Sequence, residues 1–160
     1  MTIFNFNSDS NISNWKIVDD VVMGGRSNGE FKLSNEGYGE FSGKISLENN
    51  GGFSSVRYAF ETLNSSGYSK FIIRIKGDGK MFQFRVKANS NSRHSYIYKF
   101  NTTRDWQTIE IPFKEMSPSF RGYALDIPNY NGEQMENITF LIGNKKEESF
   151  MLLIDSIILK

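Results

Sequence analysis

Phe71-Ile72-Ile73-Arg74-Ile75-Lys76-Gly77-Asp78-Gly79-Lys80-Met81-Phe82-Gln83-Phe84-Arg85-Val86-Lys87-Ala88 holds two alternating runs around a Gly-Asp-Gly break. Successive side chains of a strand point to opposite faces, so Phe71, Ile73 and Ile75 share one apolar face, and Phe82, Phe84 and Val86 share another. The remaining positions collect Arg74, Lys76, Gln83, Arg85 and Lys87. Asp-Gly between alternating runs is the strongest short-range hairpin signal. A two-residue turn opposes Ile75 to Phe82, Ile73 to Phe84 and Phe71 to Val86. A three-residue loop would set Arg74 against Phe82 and mix the faces. The expectation is a hairpin with an oily side and a basic platform.

Outward from this stretch the same period recurs. Phe41, Gly43, Ile45 and Leu47 alternate with polar neighbours, as do Val56, Tyr58 and Phe60 against Ser55, Arg57 and Ala59. Tyr96, Tyr98 and Phe100 fall on one face, Ile109 and Ile111 on another, and Ile138, Phe140, Ile142 and Phe150 to Leu159 supply closing strands. Phe113 to Asn129 holds Pro118 and Pro128 without a clean period and reads as a long irregular connection, with a short helical turn over 133–137. Nothing reads as a helix long enough to cover a parallel sheet. The fold class is therefore all-β, an antiparallel β-sandwich, in one domain spanning residues 1–160.

The totals exclude several classes. With no cysteine there is neither a disulfide nor a thiolate metal site. Met1 to Asn7 has no basic n-region with an apolar h-region behind it, and an apolar run such as Met151 to Ile154 is far below the roughly 20 residues that cross a bilayer. A cytoplasmic protein is expected. Net charge is +1, which gives no global case for nucleic acid, yet from Lys70 to Arg104 the only acid is Asp78. His94 is the sole histidine and sits in a polar Ser-Arg-His-Ser turn. Asp19-Asp20 and Glu147-Glu148 are adjacent pairs, which a strand sends to opposite faces. No catalytic residue, metal or cofactor is expected, and the chain reads as a binder, not an enzyme.

Two glycine doublets stand out: Gly24-Gly25-Arg26-Ser27 and Gly51-Gly52-Phe53-Ser54. Adjacent glycines lose backbone entropy and pack nothing, so they mark bends or bulges, or backbone N–H groups open to an anion; the structural reading is preferred. Asp20, just before the first doublet, is expected to accept backbone N–H bonds or to pair with Arg26 and so fix the turn. Trp15 and Trp106 read as packing residues. Arg57 and Arg85 lie mid-strand on non-core faces, where an arginine needs a carboxylate, a ligand or water. The expected binding surface is Arg57, Arg74, Arg85 and Lys87 with Tyr96 and Tyr98, rimmed by the doublets.

Trp15, Asp20, Val22-Met23-Gly24-Gly25-Arg26-Ser27, Phe41-Ser42-Gly43, Asn50-Gly51-Gly52-Phe53-Ser54-Ser55-Val56-Arg57, Trp106 and Ile111-Pro112-Phe113 together resemble the complex I intermediate-associated protein 30 family. The likeness runs along nearly the whole chain. It implies a galactose-binding-domain-like jelly roll and a chaperone-like assembly role toward respiratory NADH:ubiquinone oxidoreductase, here in a compact stand-alone form resembling bacterial versions. The motif turns it singles out are Asp20, Met23, Gly24, Gly25, Arg26, Ser27, Asn50, Gly51, Gly52, Phe53 and Ser55. A protein partner is expected first; a carbohydrate, or RNA bound through the basic 70–104 segment, are the alternatives.

Overall fold

Alternation becomes strand along most of the chain. In a computed structural model the strands are, in chain order, β1 (Thr2–Asn5), β2 (Trp15–Ile17), β3 (Asn28–Leu33), β4 (Gly39–Ile45), β5 (Ser54–Asn64), β6 (Lys70–Lys76), β7 (Met81–Lys87), β8 (Ser95–Asn101), β9 (Trp106–Pro112), β10 (Ser117–Phe120), β11 (Tyr123–Ala124), β12 (Gln134–Ile142) and β13 (Glu148–Leu159). The structure describes the backbone of residues 1–160 and every side chain except those of Val22 and Met23. The first sheet runs β3-β4-β13-β6-β9, with β1 also on β13; the second runs β11-β10-β8-β7-β12-β5-β2. Strand neighbours are antiparallel throughout. The expected all-β antiparallel sandwich forms. Among the described residues no helix is long and apolar enough to cross a membrane.

The hairpin does not form. β6 pairs with β13 and β9 in the first sheet, while β7 pairs with β12 and β8 in the second. Both edges of each strand are taken, so the 77–80 segment is a corner between sheets. Asp78 holds that corner, accepting from the Lys80 and Met151 amides at 3.3 and 2.9 Å and from the Lys80 ammonium at 3.0 Å. The apolar faces meet across the interior instead of side by side. Phe71, Ile73, Ile75, Phe82, Phe84 and Val86 are all fully buried, and Phe71 meets Phe84 edge-on with ring centroids 4.8 Å apart. Local alternation cannot distinguish these arrangements, because it fixes the inward face and not the hydrogen-bonded neighbour.

Two further expectations change. The 113–129 segment contains β10 and β11, which extend the second sheet from β8 despite Pro118, at a flank where a missing N–H is tolerated. The turn expected over 133–137 is the start of β12, clamped on both sides: Asn137 aligns with Ala59 of β5 and Lys87 of β7. Trp15 closes one margin of the sandwich, stacked between Phe31 and Tyr58 at centroid distances of 5.1 and 4.8 Å.

Phe84→Ala is expected to cost about 3–5 kcal/mol, since it removes a ring packed between the two sheets. Urea unfolding would show it as a lower midpoint at unchanged slope. A loss under about 1 kcal/mol would contradict the placement of Phe84 between the sheets.

Candidate functional site

The two glycine doublets meet around one carboxylate. Asp20 begins a 3-10 turn, Asp20–Met23, and is fully buried. Its Oδ1 accepts from the Ser27 amide at 2.9 Å; its Oδ2 accepts from the Ser27 hydroxyl at 2.5 Å and from the Gly52 and Phe53 amides at 2.6 and 3.2 Å. A Cβ on Gly25 would fall on the Asp20 carboxylate carbon, and one on Gly51 would lie 2.5 Å from Oδ2, so both doublets need glycine for this approach. The consecutive N–H groups do form an anion nest, and Asp20 fills it. Burial drives the Asp20 pKa up, but the Ser27 hydroxyl and the Gly52, Ser27 and Phe53 amides outweigh it and leave the carboxyl below its ordinary value. Asp19 repeats the device, accepting from the Gly29 amide at 2.8 Å and the Ser54 hydroxyl at 2.5 Å. The alternative partner, Arg26, is not in an ion pair among the described residues; it lines a shallow depression with Glu48 and Glu147.

The other motif residues serve the same turns. Gly24 adopts φ +88° at the end of the 3-10 turn. Asn50 is exposed at φ 60°. Ser55 is buried and donates to the Val18 carbonyl. The Met23 side chain lies outside the described residues.

The expected basic platform divides. Arg74 and Lys76 leave the outer face of the first sheet, where Arg74 pairs with Asp155 at 3.0 Å and lies over the Trp106 ring at 4.4 Å. Tyr96 and Tyr98 align with Val86 and Phe84 and so face the core. His94 Nε2 lies 3.2 Å from the Tyr96 hydroxyl. What remains together is a row across the second sheet. Lys16, Arg57, Thr139, Arg85 and Ile97 align on adjacent strands, with Ala59, Asn137 and Lys87 in the next outward-facing row and Ser55, Leu141, Gln83 and Lys99 on the other side. These aligned outward positions hold neither a carboxylate nor an aromatic ring. Lys16, Lys99, Asn137 and Thr139 are the members that the sequence reading missed. For the last two a signal was present, because they alternate with Ile138 and Phe140.

The electrostatics of this face are one-sided. Arg85 donates to Gln83 Oε1 from Nε and Nη2 at 3.0 and 2.7 Å, and Lys87 donates to the Ser92 carbonyl at 2.8 Å. Among the described residues neither they nor Arg57 has an acidic partner. Burial pushes the Arg85 pKa down to about 10. Burial first, and then the Arg57 charge, lowers that of Lys87. An open cleft of about 400 Å³ beside this face is lined by Ile97, Tyr98, Lys99, Glu115, Ser117 and Ser119. Among the described residues no group of three or more His, Cys, Asp or Glu converges as a metal-ligand set.

The sequence pattern of complex I intermediate-associated protein 30 matches residues 4–154. The chain belongs to that family. Mouse complex I intermediate-associated protein 30, mitochondrial, is 24% identical over 178 aligned positions, covering 97% of this chain and 54% of its own length. The chain thus spans about half of that relative. In three dimensions the family 11 carbohydrate-binding module of a cellulosomal cellulase from Clostridium thermocellum superposes with a TM-score of 0.68 at 18% identity, covering 99% of this chain and 92% of the module. The same module in complex with a β-1,3-1,4-mixed-linked tetrasaccharide gives 0.65 at 20% identity, covering 97% and 94%. These two likenesses establish the sandwich fold of this family member and no more.

The Asp20 clasp makes a signed prediction. Because its folded pKa lies below the ordinary 3.8, its stabilisation is complete above that value and is lost as pH falls through the lower folded one. Asp20→Asn should cost about 1.5–3 kcal/mol at neutral pH, the range for hydrogen bonds to a charged group. In chemical denaturation series the gap to wild type should narrow in acid. A gap that stays constant down to pH 2 would contradict the ionised clasp.

Proposed function

We propose that this chain is a cytoplasmic, non-catalytic binding domain that holds a protein partner during assembly of a respiratory NADH:ubiquinone oxidoreductase. Family membership supports the assembly role. The single observation that carries the binding role is the outer face of the second sheet, where Arg57, Arg85 and Lys87 stand together with no acidic partner among the described residues. Such a face attracts an acidic surface from a distance and disfavours a basic one, so it supplies association rate and selectivity. A rigid sheet presents these charges at fixed spacing, which suits a docking surface better than a reaction centre.

A glycan is the second reading, favoured by the likeness to modules that bind one and by the hydrogen-bonding side chains of the aligned rows. Against it, the aligned face offers no outward ring on which a sugar could stack. The same lack weighs against single-stranded RNA, which uses aromatic platforms. The basic 70–104 segment is also shared between two opposite faces.

Affinity capture in the source organism, paired with deletion of the coding gene, tests the proposal. The expected result is co-purification of an oxidoreductase subunit or subassembly, weakened by Arg57→Glu or Arg85→Glu, and less assembled complex on native gels after deletion. Unchanged NADH oxidation with no captured subunit would overturn it. Retention on mixed-linked β-glucan under the same conditions would transfer the case to the glycan reading.

A further inference from the structure

We propose that Arg57, Arg85 and Lys87, with the floor residues Asn137 and Thr139, form a seat for one oxyanion group, a carboxylate or phosphate carried by the partner. The inference rests on reading the outer face of the second sheet as the partner surface, and it names the chemistry recognised there.

Register supplies the geometry. Arg57 and Arg85 flank Thr139 on adjacent strands, so their backbones stand two strand spacings, about 10 Å, apart. The two arginines therefore stand on either side of Thr139. Lys87 flanks Asn137 in the neighbouring row. Asn137 and Thr139 are only 5% and 6% exposed, and neither side chain is in a hydrogen bond among the described residues; their polar atoms are not among the fully buried ones, so what is exposed of them includes the polar ends. Arg57 Nε is also buried without a partner. Buried polar groups are nearly always satisfied, and each one left open costs about 1–3 kcal/mol. A buried, unpartnered guanidinium nitrogen among three cations with no acidic partner, beside the open polar ends of Asn137 and Thr139, is what a ligand site looks like before its ligand arrives.

The donor set selects the ligand. Two guanidinium groups, an ammonium, a hydroxyl and an amide NH₂ offer many donors and few acceptors, which matches an oxygen anion and mismatches a sugar hydroxyl needing both. Charge points the same way. The seat lies in a partly desolvated place, as the depressed Arg85 and Lys87 values record, and an anion would relieve the mutual repulsion of Arg57 and Lys87.

The test is an amide ¹H–¹⁵N NMR titration of the full chain with inorganic phosphate and, separately, with hexaglutamate, against sodium chloride at matched ionic strength. Saturable shifts centred on Arg57, Arg85, Lys87, Asn137 and Thr139 are expected from at least one probe. Phosphate alone would mark a phosphoryl source; hexaglutamate alone would mark a carboxylate source; either supports the seat. Arg85→Gln should weaken binding about tenfold or more, the worth of one charged hydrogen bond. Thr139→Val, nearly isosteric, should weaken it with an unchanged spectrum elsewhere, and Lys32→Gln on the first sheet should leave it intact. Shifts no larger than those of chloride, or equal losses in Lys32→Gln and Arg85→Gln, would overturn the seat. If the anions fail while a subunit is still captured, the seat is wrong and the partner surface stands. If they bind and no subunit is captured, the seat stands and the assembly role falls.

Discussion

The separation of the cationic side chains onto two faces follows from how the chain leaves Lys76. Had β6 turned back beside β7, Arg74 and Arg85 would share one surface. Because the chain crosses from one sheet to the other, the apolar halves of β6 and β7 press together across the interior, and their cations part company. The core and the charge map are two consequences of a single corner. The corner itself is tied down by Asp78 and by Thr102, whose hydroxyl donates to the Lys80 carbonyl at 2.7 Å and accepts from the Gly79 amide at 3.1 Å.

A second constraint decides where β5 begins. The Asp20 carboxylate binds the first doublet through Ser27 and the second through Gly52 and Phe53, while Asp19 fastens Gly29 of β3 and Ser54 of β5. Ser54 opens β5, so the clasp stands three residues before Arg57. A buried carboxylate without these donors would be strongly destabilising; with them it becomes a fixed point that ties the starts of β3 and β5 together. The glycine doublets are thus explained by close approach to an internal anion, and the proposed binding face lies elsewhere, over the middle of the second sheet.

Much of this was legible beforehand. Inward faces were, because burial needs only period two: Phe41, Val56, Phe84, Phe140 and Ile111 all point where alternation sends them. Asp20 was half legible, as a turn-fixing acceptor, although its partner is the second doublet more than thirty residues away, a contact no local window contains. Strand neighbours were not legible. Asp78-Gly79 carries a hairpin signal, and only competition from β9, β12, β13 and β8 for the four available edges turns it into a crossover. The platform divides for two reasons: the crossover sends Arg74 to the opposite sheet while Arg57, Arg85 and Lys87 stay together, and Tyr96 and Tyr98 share the inward face of Phe100, a period already present in the sequence.

The central claim is that β6 and β7 belong to different sheets, and backbone proton–proton contacts from three-dimensional NOESY spectra address it most directly. Paired strands stand about 4.8 Å apart and packed sheets about 10 Å, so the two arrangements give distinct cross-peaks. The account predicts backbone contacts of Arg85 with Thr139 and Ile97, and of Arg74 with Thr108 and Ser156. Backbone contacts between Ile75 and Phe82 would restore the hairpin and dissolve both the split charge map and the site built on it.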